Sequence, residues 1–187
     1  ASEDARFYWH VGVDPIGIAR AVKVALTKGN VTQGASTITQ QVARSLFPAV
    51  GQEKTASRKL REMIVALKME TYFSKDEILL LYLNKIYLGV GQSGFEDAAQ
   101  FYFDKSAKDL DLLESATLIA MLPAPNAFNP IVDPEKSREQ RNLVIDRMHK
   151  LGMITDQEQR QAKLTPIEDR LSEEARRALS NNAAPYF

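Results

Sequence analysis

The sequence predicts a mainly α-helical fold, and three observations support this class. Helix-start signals, in which Ser, Thr or Asp precedes Glu by three residues, recur along the chain. Between them, apolar residues recur at spacings of three and four. Alternating runs bounded by turn residues, which would indicate strands, are missing apart from a weak candidate at 31–35. We therefore expect helices to account for most of the chain.

The first two predicted helices have clear ends. Asp14 is the N-cap of the first, Pro15 occupies its first position, and Gly29 lies just past its end. In the segment ASTITQQVARSLF, apolar residues recur every four positions from Ile38, and Pro48 stops the helix. The second helix is therefore amphipathic, with an uncharged hydrogen-bonding face.

The later helices are predicted from periodicity and capping signals. A third helix over 54–73 has residues at the helical period, namely Leu60, Ile64, Leu67 and Thr71. A capping box at Ser74–Glu77 starts a fourth helix, which we expect to reach about Gly89. The remaining start signals are Asp111–Glu114, Asp133–Pro134 and Thr155–Glu158, and Gly152 closes the helix that begins at Pro134. After Pro166 we expect a last helix and then a linker.

Composition limits the classes of function. The 187 residues suit one domain, and 24 basic against 24 acidic residues give a net charge of zero. This balance argues against general affinity for nucleic acid or for an anionic membrane surface, so any anion site must be local. Without cysteine there is no disulfide and no thiolate metal site. No apolar run approaches the roughly 18 to 20 residues that span a bilayer, so we expect the chain as given to be soluble.

Two polar clusters carry the candidate chemistry. Arg58, Lys59 and Glu62 share one helical turn, because residues three and four apart lie on one face. The preceding helix offers groups suited to sugar hydroxyls and amides, together with one cation; these are Ser36, Thr37, Gln40, Gln41 and Arg44. Each cluster has a plainer interpretation, a solvated ion-paired face in the first case and an exposed polar face preceded by Gly34 in the second. Periodicity alone leaves both interpretations open.

Four motifs in order carry a family resemblance. EDARFYWHVGVD, GASTITQQVAR, RKLREMIVALKMET and KDEILLLYLNKIYLG resemble the signature motifs of the family 51 peptidoglycan glycosyltransferases. The resemblance covers about residues 3–151. The terminal AAPYF is similar to the linker that follows this domain in class A penicillin-binding proteins. We therefore expect a glycosyltransferase domain at 1–179, and at 180–187 a linker toward a missing transpeptidase module.

The resemblance implies both a fold and an activity. The fold would be a lysozyme-like helical core with a smaller, membrane-proximal jaw lobe. The enzyme would polymerise lipid II into β-1,4-linked glycan strands, with inversion and release of undecaprenyl pyrophosphate. Its partners would be lipid II, the growing strand and the membrane, which it would contact through the jaw lobe and a missing N-terminal helix. We expect it at the external, periplasmic face of a bacterial membrane, with no nucleic-acid partner and with a moenomycin-like phosphoglycolipid as an inhibitor.

The resemblance also assigns roles to residues. Glu3 would be the general base that takes the proton of the acceptor's 4-hydroxyl, and His10 would be scaffold. Glu62 would be a second essential carboxylate that orients the donor pyrophosphate or assists its departure. The substrate-binding residues would be Asp4, Gly34, Ser36, Thr37, Gln40, Gln41, Arg44, Arg58 and Lys59. No cofactor is required; a divalent cation, Mg²⁺ or Mn²⁺, could bind at Glu62, although the sequence shows no dedicated oxygen cage and no metal ligand is assigned.

Two other functions stay open at this stage. A lysozyme-like enzyme that cleaves glycan would share the fold and one acidic residue, but it has no pyrophosphate to hold and so no use for the cationic cluster. A non-catalytic module that binds glycan or lipid could keep the shape of the motifs without the reaction.

Overall fold

The computed structural model describes residues 3–28, 36–51, 53 and 55–183. Within these ranges it contains nine α-helices, three short 3-10 helices and two isolated β-bridges, and no extended strand. This confirms the mainly α fold class. The weak strand candidate at 31–35 lies outside the described residues.

The chain divides into two compact units, with the boundary between Lys85 and Ile86. The helices of unit 1 are α1 (Pro15–Lys28), α2 (Ile38–Leu46), a 3-10 turn (Pro48–Val50), α3 (Ala56–Tyr72) and α4 (Lys75–Lys85). Helix α2 packs against both α3 and α4. Its buried face includes Val42 and Ala43, which form part of the core of this unit.

Unit 2 has its own core and its own helices. They are α5 (Phe95–Phe103), a 3-10 turn (Ala107–Asp109), α6 (Leu112–Met121), α7 (Pro134–Lys150), α8 (Asp156–Leu164), a 3-10 turn (Glu168–Arg170) and α9 (Glu173–Ala183). Tyr102, Leu118 and Ile145 lie fully buried in this core. The capping boxes predicted at the starts of α6 and α8 are both formed.

The structure differs from the sequence prediction at two boundaries and in one further helix. Helix α4 ends at Lys85 rather than near Gly89, because Gly89 and Gly91 both adopt φ values of +80° in the turn that follows. Helix α5 was not predicted, since its N-cap is Gly94, which has no side chain to form a capping signal. Helix α9 continues to Ala183, so the predicted boundary at residue 179 falls inside a helix. Residues 184–187 of the predicted linker lie outside the described residues.

Helix α3 buries a face different from its apolar one. Leu60, Ile64 and Leu67, which follow the helical period, are 59%, 47% and 45% exposed. The buried residues of this helix are Glu62, Ala66 and Met69. An apolar stripe therefore faces outward, and the side turned toward the rest of unit 1 carries a carboxylate.

Candidate active site

The site begins with a buried ion cluster on α3. Thr55 caps the helix and accepts from the Arg58 backbone N–H, which places Arg58, Lys59 and Glu62 in the first two turns. Glu62 is 0% exposed. Arg58 Nη1 pairs with its Oε2, and Lys59 Nζ lies 3.2 Å from its Oε1. The solvated-face interpretation of this segment is therefore wrong, because the carboxylate is buried and paired with two cations.

Lys59 joins α3 to α2. Its Nζ donates to Ser36 Oγ at 2.7 Å and to Gln40 Oε1 at 2.5 Å, besides the contact with Glu62. Three acceptors match the three protons of an ammonium group. Burial lowers the pKa of Lys59, the charge and hydrogen bond of Glu62 oppose this, and the neighbouring Arg58 and Arg44 lower the pKa further. Burial, and then the two neighbouring arginines, therefore disfavour the charged form of Lys59, and Glu62 favours it.

Two guanidinium groups in this cluster have unused donors. Arg44, on the last turn of α2, is half-buried and close enough for its charge to act on Lys59. Among the described residues it has no hydrogen bond or ion pair. Arg58 Nε is buried and also lacks a partner in the described part of the chain. Three cations against one carboxylate leave positive charge and free N–H groups, which suit an anionic ligand.

Asp4 and Thr37 fix the N-terminal segment to α2. Asp4 Oδ2 accepts from the Ile38 backbone N–H at 3.1 Å and lies 2.9 Å from His10 Nε2. Thr37 caps α2 by accepting from the Gln40 N–H, and its hydroxyl donates to Gly12 O at 2.6 Å. Negative charge at a helix N-terminus is favourable, since the orphan N–H groups there carry partial positive charge. The segment 3–13 is therefore held at the start of α2.

Gly12 allows this segment to reach α3. Its φ is +70°, and a Cβ atom there would lie 2.8 Å from the Ala66 carbonyl carbon and oxygen. Its own carbonyl oxygen accepts from Thr37 and, at 3.4 Å, from Gln40 Nε2. Only glycine combines this backbone conformation with such a close approach.

Glu3 is half-buried at the edge of a small polar cleft of about 80 Å³. The cleft is also lined by Asp4, Arg6, Ser36 and Thr37. Glu3 forms no hydrogen bond or ion pair with another described residue, so its carboxylate is available to a ligand. Ser36 belongs both to this cleft and to the partners of Lys59. The Glu3 cleft and the cationic cluster therefore meet at Ser36.

The other predicted residues occupy different positions. Gln40 is 0% exposed, and its side-chain amide donates to Gly12 O and accepts from Lys59 Nζ. Thr37 is also buried, with its hydroxyl engaged. Gln41 is half-buried with no polar contact among the described residues, and Gly34 lies outside them. Sequence reasoning overlooked Tyr82, a buried tyrosine whose hydroxyl has no described partner. Burial, and then the charge of Glu3, raise the pKa of this tyrosine.

Among the described residues, the surroundings of Glu62 do not fit a metal ion. Both oxygens of Glu62 already contact cations, which would repel a metal ion bound beside them. Within the described ranges, no group of three carboxylate or histidine side chains is arranged to hold a metal. Divalent cations prefer sites built from several oxygen ligands.

Comparison with known proteins agrees with the motifs. The model of the transglycosylase family matches residues 1–149. Penicillin-binding protein 1A of Escherichia coli (strain K12) is 47% identical over 167 residues, which cover 89% of this chain and 19% of that protein. The protein of the same name from Aquifex aeolicus (strain VF5) is 45% identical over 167 residues, covering 89% of this chain and 23% of that protein. The chain thus spans about a fifth of the length of these relatives.

A solved structure is also similar. The crystal structure of penicillin-binding protein 1A from Haemophilus influenzae matches 70% of this chain and 16% of that chain, with a TM-score of 0.48 and 31% sequence identity. The family assignment itself depends on the family model, which covers well over half of the residues. The chain belongs to the transglycosylase family of peptidoglycan glycosyltransferases.

Proposed function

We propose that this chain polymerises lipid II into β-1,4-linked glycan, with inversion at the anomeric carbon and departure of undecaprenyl pyrophosphate. One observation carries the proposal. Ser36 links a carboxylate without a described partner, Glu3, to a cluster with excess positive charge, because it lines the cleft of Glu3 and accepts from Lys59. Inverting transfer from a pyrophosphate donor needs both, namely a base on the attacking side and cations on the leaving side.

Glu3 is the proposed general base. In a direct displacement, the acceptor's 4-hydroxyl attacks the anomeric carbon while its proton passes to a carboxylate oxygen. Neither oxygen of Glu3 is engaged by another described side chain, so the group can approach the acceptor. Asp4 supports this placement, because it fastens the adjoining backbone to the start of α2.

The cationic cluster is the proposed pyrophosphate site. As the glycosidic bond to the donor breaks, negative charge grows on the leaving oxygens, and cations that bind this charge more tightly then than before lower the barrier. The half-buried Arg44 guanidinium has no described partner, and Arg58 Nε is also unpaired among the described residues. One or two charge-assisted hydrogen bonds contribute about 2–3 kcal/mol each in a dry site.

Glu62 then has a role different from metal binding. Its two oxygens orient Arg58 and Lys59, so it acts on the pyrophosphate through these cations. Gln40 and Thr37 are buried behind the cluster and support Lys59 and the N-terminal segment. Of the neutral residues predicted to bind sugar, Ser36 and Gln41 are the ones left for direct contact.

Membrane contact is proposed for the apolar surface of unit 1. A cleft of about 470 Å³ is lined by Trp9, Val11, Ile16 and Leu67, all well exposed. Exposed apolar clusters of this kind mark interaction surfaces, and a polyprenyl substrate requires one. In the described part of the chain, none of the helices has the length and apolarity that crossing a bilayer requires. We place the enzyme on the external face of the bacterial membrane, joined in its parent protein to a transpeptidase domain.

Lipid II polymerisation by the Glu3→Gln variant tests the proposal. The substitution keeps the shape of the side chain and removes the base, so polymerisation should fall by about 10²–10⁴-fold. The control is Glu135→Gln, which neutralises an exposed carboxylate of unit 2 and should leave the rate unchanged. Unchanged polymerisation by Glu3→Gln would contradict the role of Glu3.

Two results would favour the alternative functions. Release of fragments from polymeric peptidoglycan without lipid II would favour the glycan-cleaving enzyme. Binding of lipid II without turnover by the unmodified protein would favour the non-catalytic module.

A further inference from the structure

Tyr82 lies on the buried face of α4. It is one turn after Ile78, and both side chains are turned into unit 1, with Tyr82 only 4% exposed. Helix α4 packs against α2, whose start is fastened to the segment that carries Glu3. The tyrosine is therefore a core residue within the part of the molecule that holds the proposed base.

The hydroxyl of Tyr82 does not contribute to the packing of the core. It is shielded from solvent and has no hydrogen-bond partner among the described residues. Tyr102, the comparably buried tyrosine of unit 2, donates to Leu88 O at 2.9 Å and accepts from Asn129 Nδ2 at 2.7 Å. A buried polar group without a partner destabilises the fold, and phenylalanine would fill the same space without this cost. The oxygen of Tyr82 therefore calls for a functional explanation.

Glu3 is the charged group that acts on this hydroxyl. Burial, and then the negative charge of Glu3, raise the pKa of Tyr82 far above the ordinary value of 10.0. The phenol is therefore protonated at neutral pH and can act as a donor. The segment that carries Glu3 also contacts α4 directly, because the Tyr8 hydroxyl donates to Asp76 at 3.0 Å. A donor without a described acceptor and a carboxylate without a described donor therefore belong to neighbouring elements of unit 1.

We propose that Tyr82 is a positioning residue for Glu3, donating its hydroxyl hydrogen bond to one carboxylate oxygen when the acceptor sugar is bound. This inference rests on the proposed function of Glu3 as general base. The second oxygen then faces the acceptor and receives the proton of the attacking hydroxyl, while the proton of Tyr82 stays on its own oxygen. The hydrogen bond fixes the rotation of the carboxylate and favours its charged form.

The Tyr82→Phe variant tests this role in the intact protein. Loss of a hydrogen bond that favours the charged carboxylate should move the acid limb of the pH profile of kcat/KM toward higher pH, by about one unit. At a pH on that limb the rate should fall about 10-fold. Thermal and denaturant unfolding should show a variant as stable as the unmodified protein or more stable, because an unpaired buried oxygen has been removed.

The matched control is Tyr102→Phe. It removes a hydroxyl that is fully hydrogen-bonded in unit 2, so it should lower stability and leave the acid limb in place. An acid limb that does not move in Tyr82→Phe would overturn the inference. Glu3→Gln separates the two hypotheses. If Glu3→Gln is inactive while Tyr82→Phe keeps the normal pH profile, only the positioning role of Tyr82 fails. If Glu3→Gln polymerises lipid II normally, the role of Glu3 as base and the positioning role of Tyr82 both fail.

Discussion

At Lys59, burial and ion pairing act on the same ammonium group in opposite directions. Burial lowers its pKa below the ordinary 10.5, and the pairing with Glu62 recovers only part of the shift. The positive charge of Lys59 in the proposed pyrophosphate site is therefore lost at a lower pH than that of an exposed lysine. The positive charge at Lys59 should therefore decrease at alkaline pH, whereas the arginines of the site stay protonated.

The first prediction concerns this dependence. The KM for lipid II should rise as pH increases from neutrality toward the ordinary lysine value of 10.5, because neutral Lys59 no longer attracts the pyrophosphate. Lys59→Arg should flatten this rise, since a guanidinium stays protonated. Steady-state kinetics over that pH range will measure KM for both proteins. An equal alkaline rise in both proteins would show that another group is responsible.

The second prediction concerns Glu62. Glu62→Gln leaves Arg58 and Lys59 without their shared anion in a buried setting, so the free energy of unfolding should fall by about 3 kcal/mol. Glu173 is the matched control, because it pairs with Arg177 four residues away but on an exposed surface. Its replacement by Gln should have little effect. Denaturant titration compares the two, and equal stability losses would contradict the buried-pair account.

At the scale of elements, the third prediction concerns the contact between the N-terminal segment and α3. Gly12→Ala places a methyl group 2.8 Å from the backbone of Ala66 in a left-handed conformation. The conformational strain is about 1–2 kcal/mol, and the clash with rigid helical backbone adds to it. We expect a clear loss of stability, and a loss of activity because Glu3 is displaced with the segment.

Gly152 provides the control for this prediction. It has the same φ of +70°, but a Cβ atom there meets nothing within 4 Å. Gly152→Ala should therefore show the conformational strain alone. Unfolding midpoints and polymerisation rates of both variants measure the difference; if the two lose equal stability, close packing at Gly12 is unimportant.

Local chemistry explains which elements could be predicted from the sequence. The starts of α6 and α8 depend on capping boxes within four residues, and both were predicted correctly. Helix α5 begins at Gly94, which offers no capping side chain, and was missed. The apolar stripe of α3 was recognised, but its outward orientation depends on packing elsewhere in unit 1 and is invisible to periodicity.

Some features of the candidate site could be predicted from the sequence, and others could not. The proximity of Arg58, Lys59 and Glu62 follows from helical spacing and was predicted. The bonds from Lys59 to Ser36 and Gln40 join residues 23 and 19 positions apart, and only the folded chain reveals them. The roles of residues in the motifs came from family resemblance, whereas the burial of Gln40 and the unpaired Tyr82 hydroxyl required coordinates.

At the scale of the molecule, the fourth prediction concerns the exposed apolar surface of unit 1. Trp9 is 87% exposed and Ile16 is 62% exposed beside the same cleft. Replacing both with Ser in the 187-residue chain should weaken its binding to phospholipid vesicles, measured by co-sedimentation. Because the net charge is zero, binding should depend little on salt.

Leu164→Ser is the control for the vesicle experiment. Leu164 is 81% exposed, belongs to unit 2 and does not line that cleft. Its replacement should leave vesicle binding unchanged. Equal weakening by both changes would indicate general stickiness of apolar side chains rather than a membrane-binding surface.

The three acceptors of Lys59 link the two halves of the proposed site. All of its protons are already engaged, so a phosphate oxygen can bind Lys59 only by replacing one of Ser36, Gln40 or Glu62. Gln40 and Glu62 are enclosed, which makes Ser36 the partner most readily exchanged. The released hydroxyl lines the cleft of Glu3. Arrival of the donor would thereby alter the surroundings of the acceptor, so that loading of one substrate prepares the protein for the other.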